Sequence, residues 1–146
     1  MTECFILIEE DYKKVYERWV TFTGNELDED EDEEELVCED VEFEDYDGWC
    51  LATLLCDDSF AEEVLLELSG GNKLLYFYID EDMLDCEFLV MDNNTILRKK
   101  YVYYDTPELN EDEGQVKCEE EHEFDEWHDI GYFMDLARET PEVFFE

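Results

Sequence analysis

The stretch from Lys73 to Asp105, KLLYFYIDEDMLDCEFLVMDNNTILRKKYVYYD, constrains the fold more than any other part of the chain. Leu74 to Ile79 is an unbroken apolar and aromatic run, which predicts a central strand covered on both faces. Asp80-Glu81-Asp82 breaks it. A second strand is predicted from near Leu84, where Leu84, Cys86, Phe88 and Val90 alternate with Asp85, Glu87, Leu89 and Met91. One side is apolar; the other begins polar and ends buried. Asp92-Asn93-Asn94 supplies residues that tolerate left-handed backbone angles, so a tight hairpin leads into a third strand from Ile96 to Tyr104. The pattern predicts a three-strand meander.

The chain carries 47 Asp plus Glu against 9 Lys plus Arg, a formal charge of -38. That field disfavours phosphate backbones and anionic membranes and favours a basic protein partner. With 45% hydrophobic residues among its 146, the chain has enough apolar surface for one folded domain rather than a disordered one. Six cysteines (Cys4, Cys38, Cys50, Cys56, Cys86 and Cys118) form no C-x-x-C pair, and most sit in apolar surroundings, as free thiols of a reducing cytosol do. No apolar run approaches the ~20 residues of a membrane span, and no export signal opens the sequence. The expected localisation is cytoplasmic.

Cys4 to Ile8 reads as a short strand. A helix follows it, with Tyr12, Val15, Tyr16, Trp19 and Val20 on one stripe and Gly24-Asn25 at its end. Residues 26 to 35, ELDEDEDEEE, hold nine acids and predict an extended, mobile loop spanning about 25–36. From Leu36 to Tyr46, Val37, Glu39, Val41 and Phe43 share one parity and Glu42 and Glu44 the other, which predicts an acid-faced edge strand. Asp47-Gly48 is a turn and Trp49 to Cys56 a further strand. Ser59 and Glu62 fit a capping box for a helix that buries Phe60, Ala61, Val64, Leu65 and Leu68 and ends at Gly70-Gly71. Strand, helix and strand from Trp49 to Ile79 predict a β-α-β crossover between parallel strands. A second acidic loop covers about 106–123, with a short strand at Val116 to Cys118. Trp127, Ile130, Met134 and Ala137, with Phe133 beside them, mark a last helix stopped by Thr140-Pro141, after which Val143-Phe144-Phe145 docks on the core. The expected fold is a single α+β domain with a mixed, mostly antiparallel sheet, one crossover and about three helices.

No nucleophile elbow, P-loop or dinucleotide fingerprint is present, and a third of the residues being acids makes any carboxylate pair uninformative. The chain is expected to be no enzyme and to need no cofactor. His122 and His128 lie six apart with no cysteine at finger spacing, so no zinc site is expected and both histidines read as polar surface. Asp28, Asp30, Asp32 and Glu39 fall at calcium-loop positions, but Glu33 stands where the sharp turn needs glycine. Arg98-Lys99-Lys100, the one basic cluster, is expected to offset neighbouring carboxylates.

From Trp49 to Asp105 the order of a helix SFAEEVLLELSG, a strand LLYFYID, a strand DCEFLVMD, a turn DNN and a strand ILRKKYVYYD resembles small acidic α+β immunity proteins of bacterial polymorphic-toxin and contact-dependent inhibition systems. The resemblance implies a cytoplasmic protein that binds one cognate toxin and blocks it. Such proteins are commonly acidic when the toxin is a basic nuclease. Charge leads to the same expectation, since carboxylates can occupy the Lys and Arg sites that a nuclease offers to phosphates. The candidate partner-binding acids are the block Asp28, Glu29, Asp30, Glu31, Asp32, Glu33, Glu34 and Glu35, then Glu39 and Asp40, then Glu42, Glu44, Asp45 and Asp47. Glu108, Glu111, Asp112 and Glu113 with Glu119, Glu120 and Glu121 form a second candidate patch. A monomer or weak dimer is expected, with no direct nucleic-acid or membrane contact. The alternative is a phage- or plasmid-encoded DNA mimic directed at a host defence nuclease. An acidic scaffold without a nuclease partner is a third class.

Overall fold

The 74–79 run lies in the middle of the sheet, and cover on both faces accounts for its apolar character. The computed structural model describes residues 2–25 and 35–145. In chain order its elements are β1 (Thr2–Ile8), α1 (Tyr12–Phe22), β2 (Glu35–Cys38), β3 (Val41–Tyr46), β4 (Trp49–Leu54), α2 (Glu62–Ser69), β5 (Leu74–Asp80), β6 (Asp85–Asp92), β7 (Thr95–Val102), β8 (Glu111–Gly114) and α3 (Ile130–Glu139). The eight strands form one sheet in the order β2-β3-β4-β1-β5-β6-β7-β8. The chain is thus an α+β fold with three α-helices among the described residues, as expected.

Every strand pairing is antiparallel, which refines the expectation of a mixed sheet. The segment β4-α2-β5 does cross over, and β4 and β5 run the same way. However, β1 lies between them and pairs antiparallel with both. The N-terminal strand takes the slot that direct β4–β5 pairing would have filled. Its sequence, with five consecutive buried residues from Cys4 to Ile8, suits that two-faced burial.

The sheet is covered on both faces by different material. On one face, α1 and α2 pack over Ile6, Ile8, Phe43, Ala52, Leu74, Tyr76 and Leu89, through Val15, Tyr16, Trp19, Leu65 and Leu68. On the other, α3 and the C-terminal turn Pro141–Phe145 cover Phe5, Leu75, Phe77, Phe88 and Val90. Phe88 stacks on Phe77 at 5.1 Å, on Phe124 at 5.7 Å and on Phe133 at 5.7 Å, and Phe144 meets it edge-on at 5.8 Å. Burying each such ring contributes about 1.5–3 kcal/mol, so this aromatic column anchors α3 and the predicted docking of 143–145.

The meander matches its expected elements, with two departures at strand ends: β6 begins at Asp85, and β7 stops at Val102, short of Tyr104. Leu84 has a left-handed backbone (φ 59) in the turn before β6, so the strand begins at Asp85 rather than Leu84. Asn93 and Asn94 (φ 51 and 63) form the β6–β7 hairpin. The predicted single strand from 36 to 46 is instead a hairpin. Glu39 and Asp40 turn at φ 49 and 62, and the turn resets the parity, so Leu36 is buried while Val37 is 53% exposed. As a result β2, not β3, is the sheet edge. At α2 the capping-box expectation fails. The helix starts at Glu62 with Ala61 as its cap residue, no side chain caps it, and Ala61 is exposed rather than buried. The Glu62 carboxylate accepts from Lys99 Nζ at 2.6 Å instead. The predicted strand at 116–118 is a short 3-10 turn, Lys117–Glu120, and the strand of this region lies earlier, at β8.

Strand β8, EDEG, has little β propensity of its own. It pairs with β7, setting Glu113 opposite Lys99 and Asp112 opposite Lys100. Gly114 sits opposite Arg98 with φ +72, and a Cβ there would come within 2.0 Å of the Leu97 carbonyl oxygen, so only glycine lets the edge close on β7. Arg98 is 4% exposed and Glu119 5%. Glu119 accepts from Arg98 Nε and Nη2 and from the Val116 backbone N–H at 2.8 Å. Breaking such a buried pair by removing one partner costs about 3–5 kcal/mol, whereas replacing both with apolar residues costs much less. We therefore expect Arg98→Leu and Glu119→Leu each to lower the unfolding free energy by about 3–5 kcal/mol in urea titrations, and the double variant to recover much of that loss. Additive losses would contradict the pairing.

Candidate interaction surface

Most of the chain's few cations are used internally. Arg18 donates to Glu10 Oε1 at 2.8 Å and to the Leu68 carbonyl at 2.6 Å, and its guanidinium packs against Gly70 at the end of α2. Arg98 also pairs with Asp112, Lys99 with Glu62 and with Glu111 at 2.7 Å, and Lys100 with Asp112 at 2.8 Å. Arg138 pairs with Glu3 and lies over the Phe5 ring, and Lys73 lies over Phe145. The expectation that Arg98-Lys99-Lys100 offsets neighbouring carboxylates therefore holds, with those carboxylates drawn from α2, β8 and the 117–120 turn.

The second acidic patch accordingly splits. Glu111, Asp112 and Glu119 face the β7 cations, and Glu119 is interior. Glu108, Glu113, Glu120 and Glu121 are exposed. Hydrogen bonds from Lys100 and Arg98 hold the Asp112 carboxyl below its usual range.

The opposite half of the sheet has no cation within its own span. No Lys or Arg occurs between Arg18 and Lys73, the span that contains β2, β3, β4 and α2. Among the described residues, the predicted acids of this half do not form one patch. Glu39 and Asp40 are exposed at the β2–β3 turn, and Asp45 and Asp47 are exposed toward the β3–β4 turn, at the other end of β3. Six strand residues separate the two turns, about 20 Å at ~3.3 Å per residue. Glu42 and Glu44 alternate with buried Val41 and Phe43 and so stand, half-buried, on the face opposite α1. Their register partners Thr53 and Leu51 are half-buried too. Glu35 begins β2. Asp28, Glu29, Asp30, Glu31, Asp32, Glu33 and Glu34, with the expected mobile loop and calcium spacing, lie outside the described residues.

At the β2–β3 turn the acids border an open groove of ≈ 630 Å³. Its apolar wall comes from Trp19, Val41, Leu54, Phe60 and Val64, and its rim from Glu39, Asp40 and Asp58. The walls are tied in place. Trp19 Nε1 donates to the Cys38 carbonyl at 2.9 Å, Leu55 N–H to the Asp40 carbonyl at 2.7 Å, and Asn25 Nδ2 to Glu39 Oε1 at 3.0 Å. On the other side Phe60 N–H donates to Tyr76 Oη at 3.1 Å. Sequence reading missed this groove because it joins residues 19 and 64 across a sheet order that only the inserted β1 determines.

A buried carboxylate was also missed. Glu87, predicted on the polar side of its strand, is 8% exposed and accepts from Tyr76 Oη at 2.7 Å and from Tyr103 Oη. Burial raises its pKa above the usual carboxylate range, and the Tyr103 and Tyr76 hydrogen bonds pull it part of the way back. Burial also raises Asp85, whereas the Asp129 carboxyl is lowered: burial, which would raise it, is outweighed by the Glu126 and Asp125 N–H groups and by His122. His122 is more than polar surface, stacking on Tyr132 at 4.3 Å and lying 3.3 Å from Asp129; His128 is exposed. Among the described residues no group of three or more His, Cys, Asp or Glu is arranged to hold a metal ion. Burial pushes the Cys86 thiol up to about 12 and the Cys118 thiol to about 11, while Cys56 is exposed beside the groove. No described helix is long and apolar enough to cross a membrane.

Comparison with family models, curated proteins and solved structures gave no match. The functional reading rests on the residues themselves.

The titration of Glu87 has a definite sign. A raised folded-state pKa contributes stability that is present below the unfolded value of about 4.3 and lost as pH rises through the folded one. The lowered Asp112 and Asp129 contribute in the opposite sense, with stability lost as pH falls through their folded values. Melting temperature is therefore expected to rise from pH 7 toward about pH 5 and to fall below about pH 4. Glu87→Gln, which keeps an acceptor for one tyrosine, should flatten the upper limb. An unchanged upper limb in that variant would assign the rise to other groups.

Proposed function

We propose that the chain is an acidic protein inhibitor that binds a basic protein partner in the cytoplasm and covers the surface with which that partner holds nucleic acid. In its most concrete form it is an immunity protein that neutralises a cognate nuclease toxin, consistent with the resemblance of residues 49–105. The observation that carries this reading is the asymmetry of compensation. Acids near β7 have internal cations, whereas the span from β2 to α2 has none of its own. A span this rich in acids with no Lys or Arg of its own carries a cost in self-repulsion, which a basic partner recovers on binding.

The described acids of β2, β3 and their turns are divided between two turns and one sheet face. A DNA mimic needs a continuous row of carboxylates that follows a phosphate track, so this division favours separate local contacts over mimicry. Glu42 and Glu44, at i and i+2, are about 6.6–6.8 Å apart along the strand, enough to meet two neighbouring cations. The reading implies no catalysis, metal or cofactor of the chain's own.

The chain, immobilised at low salt and exposed to extract of the source organism or to products of neighbouring genes, should retain a basic protein that elutes as salt is raised. That protein, once purified, should cleave nucleic acid and lose activity at a 1:1 ratio with the chain, a ratio of about one being the expectation for occlusion. Neutralising Glu42, Glu44, Asp45 and Asp47 should raise the off-rate. Neutralising Asp28 to Glu35 should lower the on-rate, by an amount that shrinks as ionic strength rises. Retention of no basic protein at moderate salt, or a retained partner whose activity is unaffected, would contradict the proposal.

A further inference from the structure

We infer that the groove between the β2–β3 turn, the end of α1 and the start of α2 is the docking site for a cationic amphipathic segment of the protein partner. An aromatic or aliphatic side chain of that segment rests against Trp19, Leu54 and Val64, while flanking Lys or Arg side chains meet Glu39, Asp40 and Asp58. The inference rests on the proposed binding of a basic protein and names the segment and the place.

Charge complementarity and shape select this occupant. The groove is apolar at its floor and acidic around its rim, and no Lys or Arg lines it. A second copy of the chain, at a formal charge of -38, would be repelled by the rim. A neutral apolar ligand would desolvate the rim carboxylates without pairing them. Phosphate-bearing ligands meet the same repulsion. A side chain with an apolar body flanked by cations satisfies floor and rim together, in the way that anchor residues fill a pocket at the centre of an interface.

The groove is also preformed. The Trp19 indole, the Leu55 amide and the Asn25 side chain hold the β2–β3 turn against α1 and β4, and Phe60 N–H is held by Tyr76. Binding therefore requires little ordering of this side of the interface, which favours affinity. Glu39 and Asp40 occupy turn positions where Asn-Gly is the usual choice, at φ 49 and 62. Exchanging Asp40 for glycine relaxes the backbone there, so the fold is expected to survive a change that removes a rim charge.

Two synthetic peptides of about 14 residues, long enough for a few helical turns, provide the test. Both carry the same number of Lys; one has Leu and Trp on its second face and the other has Ser there. In calorimetry at about 0.15 M salt the Leu/Trp peptide should bind at least about tenfold tighter than the Ser peptide, and should shift the Trp19 indole N–H and Val64 amide resonances. Asp40→Gly and Asp58→Asn should each weaken it by about three- to tenfold, the range of one charge-assisted contact. Ala61→Arg, which puts a cation and a bulky chain in the groove from the exposed start of α2, should abolish binding. Glu81→Gln, in the exposed β5–β6 turn, should change nothing. Equal binding of both peptides, or no loss with Ala61→Arg in a protein of unchanged melting temperature, overturns the groove as the site. If that happens while a basic partner is still captured, the inhibitor reading stands and only the groove is wrong; failure of capture as well removes both.

Discussion

The fold depends on how Arg98 is neutralised. A guanidinium in the interior needs its charge met and its donors filled, and Glu119 does both from a turn far from β7 in sequence, assisted by Asp112. That requirement recruits residues 111–120, which lack the apolar pattern to fold onto the sheet unaided. Lys99 does the same on the opposite face, joining α2 to β8 through Glu62 and Glu111. One strand carrying alternating cations therefore fastens the acidic segments of both layers. The conversion of acid-rich sequence into edge strand and turn is electrostatic first and hydrophobic second.

The same arrangement uses up the positive charge. Arg18 and Arg138 fix the helix ends, β7 fixes the C-terminal half, and the strands from β2 to β4 hold a sheet whose acids have no cation of their own span to meet. Selection for stability alone would have favoured Lys or Thr on such an edge. The exposed acids at both turns, with no Lys or Arg in their own span, are the ones that the proposed basic partner would meet.

The parts of the fold that follow local rules were legible in the sequence. The meander, the aromatic stripe of α1, the stripe of α3 and the Asn-Asn hairpin all follow from periodicity and turn chemistry. What escaped was set by distant partners. The β1 insertion between β4 and β5 made every pairing antiparallel, which no local pattern around 49–79 reveals. Glu39-Asp40 lacks the Gly or Asn that most clearly marks a left-handed turn, so the local pattern continues the strand through it. Ser59 matched a capping motif, but Lys99 claimed Glu62. Glu87 read as solvent-facing because its partners, Tyr76 on β5 and Tyr103 just past the end of β7, come from elsewhere in the sheet. Of the candidate surface, the sequence displayed the charge but not its division, because Glu39 and Asp40 leave the strand for a turn of their own only once β2 and β3 form a hairpin.

The central claim is that acids in the β7 region are structural while those of the β2–β4 half are held at a cost. Thermal unfolding at low and at high salt of two neutralised chains tests it directly: one carries Asp40→Asn, Glu42→Gln, Asp45→Asn and Asp47→Asn, the other Glu111→Gln, Asp112→Asn and Glu119→Gln. The account predicts that the first set raises the melting temperature at low salt, with a gain that fades as salt screens repulsion over about 8–10 Å, and that the second lowers it at every salt concentration. A first set that destabilises the fold as much as the second would show that these acids, too, are part of its framework, and would contradict the account.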